Sequence, residues 1–598
     1  MNEAKTTSLP RDIDPILMAV LANRLNAIVR EMTNTLLKTA RSAVLAVVRD
    51  FSCSIVTGDN RLLCAAEGVP VHIFGSSLQS QSMCDLHADL APGDAFLHND
   101  PYLGNTHAAD HMYLVPVFVD GVHLFTACAK AHQADCGNSI PSTYHAYARD
   151  VYEEGALIFP CVRIQRAYED VDDIIRMCQR RIRVPEQWHG DHLACIGSAR
   201  IGERRLVELT RRYGAETIKA FINAWFAYSE QRMVDAIARL PAGRVTSTSI
   251  YDPMPPVLPD GLPIRVDVEV RPEAGKIVVD LRHNADNVAC GLNESLACAT
   301  SNAMCGVFNC MESDIPHNAG SFSRIEVLLR DGCVAGIPTF PTSCSVATTN
   351  IGDRIVNATQ SAFSLLQPGI GAAEGAMGFG AAGAVISGHD RRRNGAYVNQ
   401  EWMVANGGPA TDSTDGWLNF GIPVAAGMLY RGSVEVDESK FPILFESLKV
   451  IEGGGGAGRR RGSPGVEVEY GPRFDPMTLV MSSDGQVNPA RGAHGGHAGP
   501  PASTRLRRRD GREEVLPGAV QCELFPGDTI VGRDGGGGGY GDPLQREAER
   551  VLRDVAEGWE SRARAYEIYG VVLTDAPGDE LGLAVDAQAT LELRAGRR

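Results

Sequence analysis

The first regular pattern along the chain is a helical one. Leu17, Leu21, Leu25, Ile28, Met32 and Leu36 recur at spacings of four and three, while Asn23, Arg24, Asn26 and Arg30 lie off that stripe. This is the apolar face of an amphipathic helix. Asp14 stands where an N-cap is expected and Pro15 at the first helical position. Past Arg49 the pattern changes. Residues 51–56 and 61–64 flank Thr57-Gly58-Asp59-Asn60, which predicts a hairpin. A short apolar strand is expected at residues 94–97. Residues 113–119 and 122–129 are apolar and β-branched and are joined by Asp120-Gly121, the signal of a type I′ turn. From Asp170 to about Gln231 the text is helical and charged, with Ile174, Ile175, Met177 and Cys178 on its apolar face.

The composition shifts near Leu240-Pro241-Ala242-Gly243, and a Pro-rich stretch follows at Asp252-Pro253-Met254-Pro255-Pro256. Residues 264–270 and 276–281 alternate apolar with charged positions, as half-exposed strands do. Residues 293–311 predict a small-residue helix and 324–329 another strand. The last third carries glycine runs at 453–456 and 535–539, with short apolar strands between them such as 478–481. Residues 544–569 read as a charged helix or two. The expected fold class is α+β, with several mixed β-sheets and helices. The expected domains are 1–240 (N-terminal, metal-binding), 241–450 (central, α+β), 451–543 (Gly-rich and β-rich) and 544–598 (a helical tail).

Composition narrows the function classes. Of 598 residues, 44% are hydrophobic and 22% charged, as in ordinary globular proteins. A formal net charge of −16 argues against nucleic acid or an anionic membrane as a partner, because both demand a positive footprint. The best membrane candidate, residues 369–388, is mostly Gly and Ala and contains Glu374, which is too weakly hydrophobic to span. The 15 cysteines form no C-x-x-C pair, and residues 1–15 carry no apolar signal core. Reduced thiols and a cytoplasmic protein are expected.

Ten of the 15 histidines precede residue 193, so imidazole chemistry belongs in the N-terminal part. The densest cluster, His98 to His111, holds His107-Ala108-Ala109-Asp110. The Lys130-Ala131-His132-Gln133-Ala134-Asp135 segment follows the second hairpin. That hairpin can return His132 to His107. Two imidazoles with carboxylate oxygens make a mixed N/O site suited to Zn, Mn or Fe(II). By the same standards Asp50 is an ordinary cap at the head of the first hairpin, and His72 is an ordinary core histidine. Neither glycine run carries the Lys of a P-loop, and no dinucleotide fingerprint follows a clear strand. Tight turns and close backbone packing are the expectation for both.

At this point the ordered motifs become recognisable. Arg49-Asp50-Phe51-Ser52-Cys53, Val69-Pro70-Val71-His72-Ile73-Phe74-Gly75-Ser76, Asn99-Asp100-Pro101-Tyr102, Thr106-His107-Ala108-Ala109-Asp110 and Ala131-His132-Gln133-Ala134-Asp135 open the series. Glu153-Glu154-Gly155, Asp314-Ile315-Pro316-His317-Asn318-Ala319-Gly320, Gly462-Ser463-Pro464-Gly465 and Gly537-Gly538-Gly539-Tyr540-Gly541-Asp542-Pro543 continue it. In this order the chain resembles the B subunit of the hydantoinase/oxoprolinase family. The resemblance implies a metal-binding subunit of an ATP-dependent hydrolase that opens a cyclic amide: a hydantoin, 5-oxoproline or a lactam. It implies a hetero-oligomer in which an actin-like A-type subunit holds ATP. Related ketone carboxylases of the acetone and acetophenone type use the same pair of subunits, and a non-catalytic scaffold for the ATPase is the remaining alternative. By resemblance the metal ligands are His107, Asp110 and His132, with Asp50 a less certain fourth. Asp135 is expected to orient His132 or act as a base, and Glu67 or His72 to line the pocket. One departure is the Cys136-Gly137-Asn138 that follows the His-x-x-Asp segment, where the family usually has a double glycine.

Overall fold

The computed structural model describes residues 13–597 except 67 and 579. The helix Pro15–Thr39 forms as its pattern demands. The Asp14 carboxylate accepts from Ile16 N at 2.8 Å and from Leu17 N at 3.0 Å, closing two free amides of the first turn. An antiparallel seven-stranded sheet follows, built from β1 (Phe51–Thr57), β2 (Leu62–Ala65), β3 (Ala95–His98), β4 (Asp110–Val119), β5 (Val122–His132), β6 (Val162–Arg166) and β7 (Glu169–Asp170). Its order is β2-β1-β5-β4-β3-β6-β7. At the tip of the β4–β5 hairpin, Asp120 has φ +50° and Gly121 φ +79°. Two successive left-handed residues make the type I′ turn expected from Asp-Gly.

This hairpin is buried on both faces, which explains its almost unbroken apolar text. Tyr113, Val115, Val117, Phe125, Ala127, Ala129 and Ala131 face the helices Pro15–Thr39 and Pro185–Tyr213. Met112, Leu114 and Cys128 face the opposite way, into a larger core shared with the central part of the chain. The side-chain period of two puts Asp110 and His132 on that second face. The charged helical stretch resolves into Asp172–Arg181, Pro185–Tyr213 and Ala215–Ile237, broken before Pro185 and at Gly214 (φ +85°).

A second sheet orders Ile325–Leu328, Lys276–Asp280, Leu262–Arg271 and Gly243–Tyr251, with the first pair parallel. The helices Leu296–Phe308 and Ile351–Leu366 pack together beside it. Two further five-stranded sheets correct the boundary expected at residue 450. Val385–Asp390 pairs with Met477–Ser483, and Ile443–Val450 pairs with Val466–Pro472. Strands from both sides of that boundary share each sheet, so the segment before it and the Gly-rich segment after it fold as one unit. The tail holds the helices Ala548–Ala556, Arg562–Glu567 and Ala587–Ala595. It also contains a two-stranded sheet, Leu573–Asp575 with Leu583–Val585, beyond the helices expected.

The glycine runs pack against one another, backbone on backbone. Gly407 N donates to Gly535 O at 3.0 Å, Gly456 N to Gly537 O at 2.8 Å, Gly537 N to Ser463 O at 3.0 Å and Gly539 N to His497 O at 2.9 Å. A Cβ at Gly537 would lie 1.9 Å from Gly408 O, and one at Gly536 1.9 Å from Gly454 O. None of residues 535–539 has a positive φ. These glycines are therefore required for close approach rather than for turning. All fifteen cysteines are free thiols. Among the described residues no helix is long and apolar enough to cross a membrane.

Candidate metal centre

The site lies at the open end of the β4–β5 hairpin, where Asp110 pairs directly with His132 in the ladder. The loop before β4 delivers His107. Asp100 accepts from Tyr102 N at 2.9 Å and caps a short 3-10 turn, which Gly104 ends at φ +94°. Asn105 Nδ2 then donates to the carbonyls of His107 and Asp110, both at 2.9 Å. Asn99 Nδ2 holds Ala108 O at 2.6 Å, and Asn99 Oδ1 accepts from Phe159 N at 2.6 Å. The polar residues of the motif thus hold the backbone that carries the imidazole.

Three donor atoms converge. His107 Nε2 is 3.1 Å from Asp110 Oδ1 and 3.3 Å from His132 Nδ1, and His132 Nδ1 is 2.9 Å from Asp110 Oδ1. Such a triangle suits three atoms bound to one ion at about 2.1 Å with near right angles between them. The outer contacts agree. His107 Nδ1 meets Ser345 O at 2.9 Å, which fixes the ring and leaves Nε2 for a metal. The second oxygen of Asp110 accepts from Thr106 Oγ1 at 2.5 Å and lies 3.2 Å from His72 Nε2. All three donor side chains are buried. Tyr144 lies over both imidazoles, with ring centroids 6.1 Å from His107 and 5.7 Å from His132, and its hydroxyl contacts Gln400.

Charge follows from this packing. Burial alone would lift the Asp110 carboxyl, but the imidazoles of His107 and His72 outweigh it and hold the group well below the usual range. Burial likewise works against charge on His107, yet the Asp110 carboxylate raises its pKa on balance. Burial pushes Asp50 up to about 6, with His132 acting against the shift.

The other expected residues fall into place around this triangle or away from it. Asp50 is outside it. Its Oδ1 lies 3.8 Å from His72 Nε2, and its carbonyl accepts from His132 N at 3.1 Å. His72 bridges Asp50 and Asp110. Asp135 turns away from His132: Arg183 Nη1 donates to it at 2.9 Å and Gly137 N at 3.1 Å. That corrects the expectation that it orients His132, because its acceptors are already committed to Arg183 and the local turn. Glu67 lies outside the described residues. Sequence reasoning passed over Lys130, whose ammonium is buried one face-step from His132 and has no hydrogen-bond partner among the described residues. Burial pushes its pKa down to about 8. Tyr144 and the Ser345 carbonyl were also missed. The latter acts through the backbone, 238 residues from His107, and leaves no side-chain signal.

The fold and the centre together define a multi-sheet α+β protein with a buried two-histidine, one-carboxylate site at the end of a central hairpin. The chain matches hydantoinase B/oxoprolinase over residues 14–543, and it belongs to that family. Caprolactamase subunit beta of Pseudomonas jessenii is 29% identical over 571 residues, covering 94% of this chain and 96% of that one. The crystal structure of ATP-dependent caprolactamase from Pseudomonas jessenii matches with a TM-score of 0.88 at 28% identity, over 98% of this chain and 100% of that one. Nucleotide-free acetone carboxylase also has a TM-score of 0.88, at 18% identity, over 98% of this chain and 83% of that one; this likeness is one of fold alone.

Proposed function

We propose that this chain is the metal-binding B-type subunit of an ATP-dependent cyclic amidohydrolase, acting with an ATP-binding A-type partner on a lactam, hydantoin or 5-oxoproline ring. The observation that carries the reading is the convergence of His107, Asp110 and His132 inside a chain that matches the family nearly end to end. Those three residues hold a divalent Zn, Mn or Fe ion, and the mixed N/O donor set fits any of the three. Bound there, the ion supplies Lewis acidity toward a carbonyl oxygen or a water. The chain's own residues prepare the site. Ser345 O fixes the His107 tautomer. Thr106 and His72 hold the second oxygen of Asp110, so that the first stays aimed between the imidazoles. Tyr144 covers the imidazoles and limits water. Asp50 belongs to the same network through His72 and faces neighbouring charge rather than the donor triangle. ATP is the partner's part, since the glycine runs here are spent on each other.

Elemental analysis tests the reading. The purified chain should carry about one Zn, Mn or Fe. A His107→Ala/His132→Ala variant should lose it and keep its circular dichroism spectrum. No metal in either preparation after reloading would overturn the site. With the partner subunit, ATP turnover stimulated by lactams or hydantoins supports the hydrolase. Turnover that requires a ketone and bicarbonate instead replaces it with a carboxylase.

A further inference from the structure

A second group of buried carboxylate and amide oxygens lies at the end of the strand Gly395–Gln400 and shares no residue with the His–Asp–His triangle. Glu401 is fully buried and Asp437, on the helix Val434–Lys440, is nearly so. The Asp437 carboxylate lies close to the backbone that follows Glu401, since a Cβ on Gly432 would meet Asp437 Oδ2 at 3.0 Å and Trp402 O at 3.3 Å. Its negative charge adds to burial in pushing the Glu401 carboxyl up. Neither carboxylate makes an ion pair among the described residues, and Lys440 is the cation that most lowers the pKa of Asp437. Asn399 Nδ2 donates to Glu401 Oε1 at 2.9 Å. Among the described residues, two oxygens are then left without partners, Glu401 Oε2 and Asn399 Oδ1, on side chains that are 0% and 1% exposed. Two neighbouring buried carboxylates cannot both ionise without a counter-charge, and each unpaired buried acceptor costs free energy. Apart from the Asn399 amide N–H, the groups named here are acceptors.

We propose that Glu401, Asp437 and Asn399 form a binding site for a hard divalent cation, of which calcium is the best match. An all-oxygen donor set of carboxylates and an amide carbonyl is the chemistry such ions prefer, and it is unlike the imidazole-containing triangle. The ion would pin the helix Val434–Lys440 to the strand. Gln400 lies between Asn399 and Glu401 in sequence and holds the Tyr144 hydroxyl over His107 and His132. The site is thus placed to stiffen the support of that tyrosine.

Terbium is a suitable probe, because the adjacent Trp402 is buried and can sensitise its emission. The full-length protein, stripped with chelator, should bind about one terbium per chain with tryptophan-sensitised emission, and calcium should displace it and raise the melting temperature. An E401Q/D437N double variant should lose the emission, and Asn399→Ala, which keeps both carboxylates, should weaken binding roughly tenfold. The His107→Ala/His132→Ala variant should keep the emission, which separates this site from the first. The proposal is overturned if emission is equal in wild type and Asn399→Ala, or if calcium neither displaces terbium nor shifts the melting temperature. In that case Glu401 and Asp437 share a proton instead of a cation.

Discussion

Replacing Gly537 by alanine isolates the packing of the glycine segments. The added Cβ would lie 1.9 Å from Gly408 O and 2.5 Å from Gly408 C. An ordinary carbon–oxygen contact is about 3.2 Å, so one backbone must retreat by about 1.3 Å. Neither segment is free to do so. Gly408 O accepts from Ser463 N at 3.0 Å, Gly537 N donates to Ser463 O at 3.0 Å, and Gly537 O accepts from Gly456 N at 2.8 Å. Overpacking costs about 1–3 kcal/mol, and two lost hydrogen bonds add about 1 kcal/mol each. Alanine returns about 0.5–1 kcal/mol by restricting the unfolded chain. The net expectation is a loss of about 3 kcal/mol. If all 598 residues melt together, their unfolding entropy is about 1.3 kcal/mol/K, and the melting temperature falls by about 2–3 °C. If the Gly-rich unit melts alone, the fall is larger. Gly197→Ala is the control, since a Cβ there meets nothing within 4 Å in the middle of the helix Pro185–Tyr213. It should leave the melting temperature unchanged or raise it, because alanine is the better helix former by about 1 kcal/mol. Scanning calorimetry of the three proteins decides the matter. A Gly537→Ala protein that melts no lower than wild type, beside a well-behaved control, refutes the close-packing argument.

Other expectations follow from single contacts. Arg354 is 1% exposed and grips Asp484 through two bonds of 2.8 Å, so Arg354→Met leaves that buried carboxylate without its counter-charge, held only by the Asp252 and Gly485 amides, and should cost about 3–5 kcal/mol, read as a lower urea midpoint. Burial raises the Asp534 carboxyl to about 7. The folded state then keeps a proton that the unfolded chain has released, so this residue's contribution falls as pH rises from about 4 to about 7 and is level above that. Asp534→Asn should gain stability relative to wild type from pH 5 to pH 8, and a difference in melting temperature that is flat over that range would refute the assignment. Thr106→Val removes a donor from the second oxygen of Asp110 and should weaken metal binding roughly tenfold in a competition assay with a chelating dye, with the fold retained.

Local physics wrote the parts of this fold that the sequence discloses. The Asp14 cap, the 3–4 stripe behind it and the Asp120-Gly121 turn each depend on residues within a few positions of one another, and each forms as expected. The boundary at residue 450 was misplaced for the opposite reason. Composition changes there, but strand pairing joins Ile386 to Leu479 and Leu448 to Val468 across it, and no local signal records such pairs. The glycine runs stand between these cases. Their composition announced close approach, yet the partner of each glycine is another segment far along the chain.

The centre divides along the same line. His107 and Asp110 are three residues apart, and the hairpin brings His132 opposite Asp110 only through a β-bulge at Val117/Phe118; the register set by the turn alone would place Ala131 there. The two-residue period then decides that both point to the face shared with the central part of the chain. What completes the site comes from that other side: a Ser345 carbonyl on His107, and Gln400 behind Tyr144. Asp135 shows the limit of reading roles from proximity. It sits three residues from His132 in a pattern that mimics His107 and Asp110, but β5 ends at His132, and the chain turns so that its carboxylate meets Arg183. A His-x-x-Asp pair marks a shared site when the following strand returns the aspartate to the histidine, as β4 does for Asp110. When the histidine instead ends the strand, the same spacing carries the acid away. Exchanging the two environments makes this testable. Asp135→Asn should leave metal content unchanged and lower stability through Arg183, whereas Asp110→Asn should abolish metal binding. Loss of metal in both variants would mean that Asp135 reaches the centre by a route the folded chain does not show.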